Sequence, residues 1–356
     1  MRQTEGEKTL QLNLGASNMS KHNLISIDLA KNVFQVCGFT KNNKVTFNKK
    51  VTRSEISLFI AQQEPTLIAM EACYSSHYWA RLFESYGHSV KLLPAQHVTP
   101  FVRGNKSDRN DAVAIAEAAQ RPNIIPVPIK SIEQQDIQSL HRMRERYVSH
   151  RTGLINQTRG LLAEYGMVSA KGHRAFCQLL RTASDPSNKL LSGLVKTQLR
   201  YIADEFYSMC DRIDDIQKTL DTIAKNNPYC QILSSISGIG TINSTAIYSA
   251  IKQGQQFKSA REFAVWLGLT PKQSSSGNTF KSSGITKRGN RYLRKQLVHG
   301  ARSAVSRSRD KQDSMSLWIN KLIARRGIQK AYVAYAARMA RLAWVLLQRN
   351  EMYKPM

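Results

Sequence analysis

Two apolar runs near the start of this 356-residue chain each end on a carboxylate, and no other feature limits the fold so strongly. Leu24-Ile25-Ser26-Ile27-Asp28 and Thr66-Leu67-Ile68-Ala69-Met70-Glu71 read as buried strands by their length and composition. An acid at the end of a buried strand is expensive to desolvate unless something cationic meets it. Asp108 and Asp111 lie three residues apart at the start of an Ala-rich helix, so their carboxylates share one face.

The surrounding pattern alternates strand and helix. Strands are expected at 24–29, 33–40, 44–51, 66–71 and 89–94. Amphipathic helices are expected at 53–63 and 75–86, with Ser54 and Ser75 or Ser76 as candidate caps. An Asp-bearing strand, two hairpin strands, then helix, strand, helix and strand describe a ribonuclease H-like α/β layer. In such a layer the first and fourth strands lie side by side, which lets Asp28 and Glu71 converge. Arg121-Pro122, Pro126 and Pro128 mark the exit from this domain.

The middle of the chain is helical. Residues 131–165 and 190–226 run without proline and suggest an antiparallel pair or coiled-coil arm. Arg142, Arg144, Arg146, Arg151 and Arg159 on the first run read either as a solvated face of a dimerisation arm or as nucleic-acid contacts. The expected division is a disordered tail (1–22), an α/β domain (23–128), a helical arm (129–227) and an all-α C-terminal domain (228–356).

Charge narrows the partners. The chain carries 52 Lys and Arg against 25 Asp and Glu, a net charge of +27. Residues 241–356 hold 22 of the bases and 4 of the acids, so +18 of the excess lies there. A basic half of this kind is a footprint for nucleic acid. No apolar run approaches the ~18 residues of a spanning helix, and no secretory signal pattern opens the chain, so the reading expects a cytoplasmic protein and no membrane partner. Five cysteines (Cys37, Cys73, Cys177, Cys210 and Cys230) without a C-x-x-C pair fit reduced thiols, and the eight histidines offer no zinc-ligand spacing.

In the basic half, Ser237-Gly238-Ile239-Gly240 before a helix resembles a helix-hairpin-helix turn that brings backbone N–H groups to a phosphate. A plain connection between helices explains the same residues. A polar loop is expected over 273–283, then a helix whose one face carries Lys287, Arg288, Arg291, Arg294 and Lys295. Tyr292 and Trp266 could stack on bases, although their spacing beside leucines favours the core. His299 reads as a proton shuttle or a structural histidine. The last helical run, 329–348, should close the core of this domain.

Cutting or joining a phosphodiester needs charge stabilisation on both the attacking and leaving oxygens, which two Mg²⁺ ions about 4 Å apart supply when held by three or four carboxylates. Magnesium prefers oxygen ligands, and Asp28, Glu71, Asp108 and Asp111 form such a set. Singly, each has an ordinary reading as a helix cap, a first-turn acid or an ion-pair partner.

Strand-borne Asp28 and Glu71, with Asn105-Lys106-Ser107-Asp108-Arg109-Asn110-Asp111-Ala112, resemble the amino-terminal RuvC-like domain of the DEDD insertion-sequence transposases (the one-ten family), recombinases guided by a bridge RNA. Residues 268–277 (Gly-Leu-Thr-Pro-Lys-Gln-Ser-Ser-Ser-Gly) and 284–294 (Gly-Ile-Thr-Lys-Arg-Gly-Asn-Arg-Tyr-Leu-Arg) are similar to that family's carboxy-terminal transposase domain. The resemblance spans about residues 22–345. It implies a serine that attacks DNA phosphate and forms a phosphoserine link, aligned to Ser275 with Ser274 and Ser276 on either side. It also implies a Mg²⁺-dependent acidic site, a bound guide RNA, and a homo-oligomer (dimer or tetramer) in which the serine of one subunit can serve the acids of another. Lys272, Lys287, Arg288, Arg291, Arg294 and Lys295 are the expected nucleic-acid contacts beside the serine. Two other readings remain: a RuvC-like junction-resolving nuclease that uses water, and a non-catalytic nucleic-acid-binding protein.

Overall fold

The computed structural model describes residues 22–354 apart from Lys106, Gly277 and Asn278. The expected disordered tail therefore lies outside the described residues except for His22. The ring of His22 is within 2.9 Å of Thr46 Oγ1, and its carbonyl accepts from Thr66 Oγ1, so it belongs to the fold. The chain forms two compact units, Met1–Ile129 and Lys130–Met356.

The first unit is built on one sheet ordered β3-β2-β1-β4-β5. Its strands are β1 (Leu24–Asp28), β2 (Val33–Phe39), β3 (Val45–Thr52), β4 (Leu67–Glu71) and β5 (Ser89–Leu93). β1, β2 and β3 pair antiparallel, whereas β1–β4 and β4–β5 are parallel, so the first and fourth strands are neighbours as the pattern required. Strand alternation sorts the side chains onto two faces. Ile25, Ile27, Ile68 and Met70 bury against α1 (Ile56–Ala61) and α2 (Ser76–Ser85). On the other face, after the short α3 (Ala95–Val98), the alanines of α4 (Asp108–Ala119) pack on Leu24, Cys37, Ala69 and Leu93. Small side chains let α4 approach closely enough for Ser26 Oγ to donate to the Ala112 carbonyl at 2.6 Å.

The expected serine caps are corrected. Helix α1 begins after Glu55, whose carboxylate accepts from both the backbone N–H and the hydroxyl of Thr52 and so sets that turn without Ser54 capping the helix. Ser75 adopts a left-handed conformation and caps nothing, while Ser76 Oγ donates to the Cys73 carbonyl.

In the second unit, α5 (Ile132–Ala163) opens with a Ser131/Gln134 capping box, and α7 (Gly193–Asn226) opens on a Ser192 cap. The two run antiparallel. Ile137, early in α5, packs with Leu220 and Ala224 late in α7, and Leu162 at the far end packs with Leu199 and Phe206. Helix α6 (His173–Ser184) covers that end with Phe176, Leu179 and Leu180. The arginines of α5 are not one solvated face. Arg159 donates to the carbonyls of Ala170 (2.8 Å) and Gly172 (3.0 Å), and Arg151 lies 3.5 Å from Cys210 Sγ.

Helices α8 (Pro228–Ser234), α9 (Thr241–Ile251), α10 (Ala260–Trp266), α11 (Arg291–Ser306), α12 (Ser314–Arg326) and α13 (Ile328–Arg349) share one core, centred on Phe263, Leu267, Leu297, Tyr335 and Met339. The Ala-rich α13 closes it as expected, burying Ala331, Ala336, Ala340 and Ala343. Gly238 has a use other than phosphate contact. A Cβ there would sit 2.7 Å from the Gly300 carbonyl oxygen, so the glycine allows the 237–240 turn to press against α11.

His141 is buried where α5, α9 and α11 meet, with Nε2 2.9 Å from Thr245 Oγ1 and Nδ1 2.9 Å from the Tyr292 hydroxyl. Burial, and then the charge of Arg144, lower its pKa from 6.5 to about 4. Between those values the unfolded chain binds a proton that the folded chain refuses, so this contribution is full above about pH 6.5 and is lost as pH falls toward 4. Going from pH 7 to 4.5 should remove on the order of 2 kcal/mol, seen as a falling melting temperature whose slope flattens in His141→Gln.

All five cysteines are unpaired. Among the described residues no helix is long and apolar enough to cross a membrane.

Candidate functional site

Asp28 and Glu71 come together through strand register. Ile27 of β1 pairs with Met70 of β4, so the next residues along the two parallel strands are Asp28 and Glu71, about one strand spacing (~4.8 Å) apart at the backbone. Alternation puts Asp28 on the face of Leu24 and Ser26, and Glu71 on the face of Ala69; both are therefore on the α4 side. Both carboxylates are half-buried, and their fields meet at Cys73. Burial first, then Glu71 and Asp28, push its thiol up to about 11.

Helix α4 is held over this edge at two points. The Ser26–Ala112 bond is one. In the other, buried Gln35, the register partner of Asp28 on β2, donates to Asn48 Oδ1, and Asn48 Nδ2 donates to the Arg109 carbonyl at 3.2 Å. The first turn of α4 is thereby fixed beside Asp28. Ser107 caps the helix by accepting from the Asn110 N–H, and Asp108 (exposed) and Asp111 (half-buried) occupy that first turn. Neither Gln35 nor Asn48 was singled out from sequence. A glutamine inside the otherwise apolar Val33-Phe34-Gln35-Val36-Cys37 was the available signal.

The donor set is entirely carboxylate oxygen, which suits a hard divalent cation. The structure sets Asp28 and Glu71 at neighbouring strand ends, on the sheet face against which α4 packs. Among the described residues, no three His, Cys, Asp or Glu side chains are grouped closely enough to hold a metal.

The serine string lies in the second unit, and its conformation corrects the expected polar loop. Strands β6 (Pro271–Ser276) and β7 (Thr279–Ile285) form an antiparallel hairpin in which Ser275 lies opposite Phe280 and Ser276 opposite Thr279. Two residues, Gly277 and Asn278, separate the strands, the length of a tight hairpin connection. Strand period puts Ser275 on one face and Ser274 and Ser276 on the other, all exposed.

The base of this hairpin is interlocked. The Thr286 N–H donates to the Thr270 carbonyl at 2.9 Å, and the Lys287 N–H donates to Gly268 at 3.2 Å. Gly268 and Gly289 have φ of +68° and +78°, and a Cβ on Gly289 would lie 1.8 Å from the Trp266 carbonyl oxygen. Gly289→Ala is expected to lower the unfolding free energy by about 3 kcal/mol or more, through a backbone clash added to a strained φ, measured as a denaturant midpoint.

The basic run is not one helical face. Helix α11 starts only at Arg291, and Lys287 (φ +57°) and Arg288 belong to the turn that leads into it. Lys272, Lys287, Arg288 and Arg291 are exposed. Lys295 pairs with Glu145, and Arg294 donates to the carbonyls of Leu267 (2.8 Å) and Arg288 (2.9 Å). No sequence signal identifies such a partner, because a backbone carbonyl has no residue code. Trp266 stacks on Phe263 against the core, Tyr292 bonds to His141, and His299 is exposed on α11.

The sheet thus sets two carboxylates at neighbouring strand ends, and the other, largely helical unit contains the segment 241–356 that carries +18 of the net charge. Residues 230–315 match the family described as "Transposase IS116/IS110/IS902 family", and residues 25–167 match a DEDD-type domain described as "Transposase". The chain is 40% identical over 332 residues to a "Probable family 20 transposase" of Pseudomonas aeruginosa, covering 93% of this chain and 98% of that one. It is 39% identical over 337 residues to the "Transposase for insertion sequence element IS1111A" of Coxiella burnetii, covering 95% and 93%. It is also 23% identical over 286 residues to a "Pilin gene-inverting protein" of Moraxella bovis, covering 77% and 80%. The chain belongs to the IS110/IS116 family of transposases, enzymes that cleave and transfer DNA strands.

Proposed function

We propose that this transposase cleaves and rejoins DNA through a phosphoserine link, using Ser275 as nucleophile and Asp28, Glu71, Asp108 and Asp111 as an acidic site for Mg²⁺. The observation that supports the reading is the placement of Asp28 and Glu71 at the neighbouring ends of parallel β1 and β4, one residue beyond the Ile27–Met70 pair and on the sheet face against which α4 packs. Divalent metal held there would stabilise charge on the reacting phosphate oxygens. Ser275 Oγ attacks phosphorus and loses its proton to a base. The bond from phosphorus to the leaving sugar oxygen breaks, and that oxygen takes up a proton. Because the serine ester keeps the phosphodiester's energy, rejoining by a sugar hydroxyl needs no ATP.

Lys272, Lys287, Arg288 and Arg291, exposed around the serine hairpin, are the proposed contacts to the nucleic-acid backbone. Target choice by a bound RNA fits the +18 excess of residues 241–356. Within the second unit, the antiparallel α5–α7 pair is the proposed coiled-coil arm of a dimer or tetramer, following the RuvC-like domain and preceding the C-terminal transposase domain in the sequence.

The test is to incubate the purified chain with Mg²⁺, its co-purifying RNA and labelled DNA spanning an element end, then run a denaturing gel. A DNA–protein adduct should form. Trypsin cuts after Lys272 and Lys281, so residues 273–281 should carry the nucleotide remnant, with fragmentation placing it on Ser275. Cleavage without any adduct would make water the nucleophile and remove the serine from the mechanism.

A further inference from the structure

We propose that Arg294 is a positioning residue, which ties both ends of the serine hairpin to α11 and makes no contact with the DNA backbone. The proposal rests on the reading of Ser275 as nucleophile and adds what holds that serine in place.

The hairpin needs such a support. β6 is exposed along its whole length, so it buries no core of its own, and a two-stranded ribbon alone is marginally stable in water. What orients the ribbon must therefore act at its base. One guanidinium nitrogen, Arg294 Nη1, donates to the carbonyl of Leu267, where α10 ends ahead of β6, and to the carbonyl of Arg288, just after β7. Leu293 and Leu297, buried in the core, fix the helix that carries the arginine. Gly268 and Gly289 let the two backbones approach so closely that no side chain fits between them. Arg294 is thus engaged on both sides of the hairpin. Arg291 and Arg288 beside it are exposed and free to meet phosphate. Burial and the neighbouring charge of Arg291 lower the Arg294 pKa, the direction expected for a guanidinium drawn against protein.

The test compares full-length wild type with Arg294→Gln, Arg294→Lys, Arg288→Gln and Arg291→Gln. Three quantities are read: amide exchange of the 271–287 peptides, affinity for a labelled duplex across a salt series, and adduct formation at saturating DNA. For Arg294→Gln, hairpin amides should exchange about tenfold faster or more while α12 and α13 peptides stay unchanged. Its adduct formation should fall on the order of 10²-fold, the scale of a misplaced reacting group. Its duplex affinity and salt slope should match wild type. Arg294→Lys, which keeps the charge but loses the planar fork, should lie between the two in rate. Arg288→Gln and Arg291→Gln should do the reverse on the first two readouts, each lowering the salt slope by about one while hairpin exchange stays at the wild-type rate.

An Arg294→Gln protein with a salt slope reduced by about one and unchanged hairpin exchange would overturn the proposal and make Arg294 a phosphate contact. Loss of cooperative folding in both Arg294 variants would overturn it too, by making the residue a support of the whole core. Absence of an adduct in wild type would defeat the Ser275 reading alone, because exchange and binding still decide the role of Arg294.

Discussion

Asp28→Ala should abolish strand cleavage, lowering the rate by about 10³-fold or more, while duplex affinity stays within a few-fold of wild type. The asymmetry follows from position. Asp28 is a negative group at the end of β1, so its loss removes no attraction for phosphate. What it removes is one of the two carboxylates that follow directly on the paired Ile27 and Met70. Glu71→Ala should match it, and the double variant should be little worse than either, because the two act as a unit. Stability should move by only about 1 kcal/mol in either direction, since Asp28 is half-buried and lies beside the like charge of Glu71. Measuring cleavage and melting temperature on the same preparation separates a lost site from a lost fold. Retention of cleavage within tenfold would remove Asp28 from the acidic site.

Ser275→Ala should eliminate the adduct and lower strand transfer on the order of 10³-fold or more, the scale seen when a covalent nucleophile is deleted. The hairpin gives this prediction an internal control. Ser274 and Ser276 project from the opposite face of β6, so Ser274→Ala and Ser276→Ala should each stay within about tenfold of wild type. All three changes are at exposed positions and should leave stability within about 0.5 kcal/mol. Gel quantitation of the adduct across the three variants decides the matter. Wild-type cleavage by Ser275→Ala would identify a water-using nuclease, and adduct loss confined to Ser274→Ala or Ser276→Ala would move the nucleophile to the other face.

The central strands β1, β2 and β4 were legible in the sequence because burial on both faces leaves a chemical trace. Every strand of the first unit falls within about one residue of its expected bounds, including the more exposed β3 and β5. The neighbourhood of Asp28 and Glu71 was legible for the same reason, since strand order follows from the element pattern. Elements held by polar or backbone contacts were less visible. The β6–β7 hairpin has no apolar alternation, so Gly277-Asn278 between polar residues resembled an open loop. The Glu55–Thr52 turn outcompeted a serine cap through hydrogen bonds that propensity does not encode. Arg294 and Lys295 read as part of a basic cluster with Arg288 and Arg291, and the groups that engage them, the carbonyls of Leu267 and Arg288 and the carboxylate of Glu145, are silent in a linear reading.

Forty-two residues lie between Asp28 and Glu71 along the chain, yet in space the two follow directly on the paired Ile27 and Met70. Loops at the β2–β3 turn or after α1 can therefore lengthen or shorten across related sequences without moving either carboxylate. A deletion of one residue inside β1 is another matter: it would turn Asp28 toward Ile25, Ile68 and Met70 and send an isoleucine to the α4 side. The spacing that this enzyme must inherit intact is thus the count within a five-residue strand, not the long stretch between its acids.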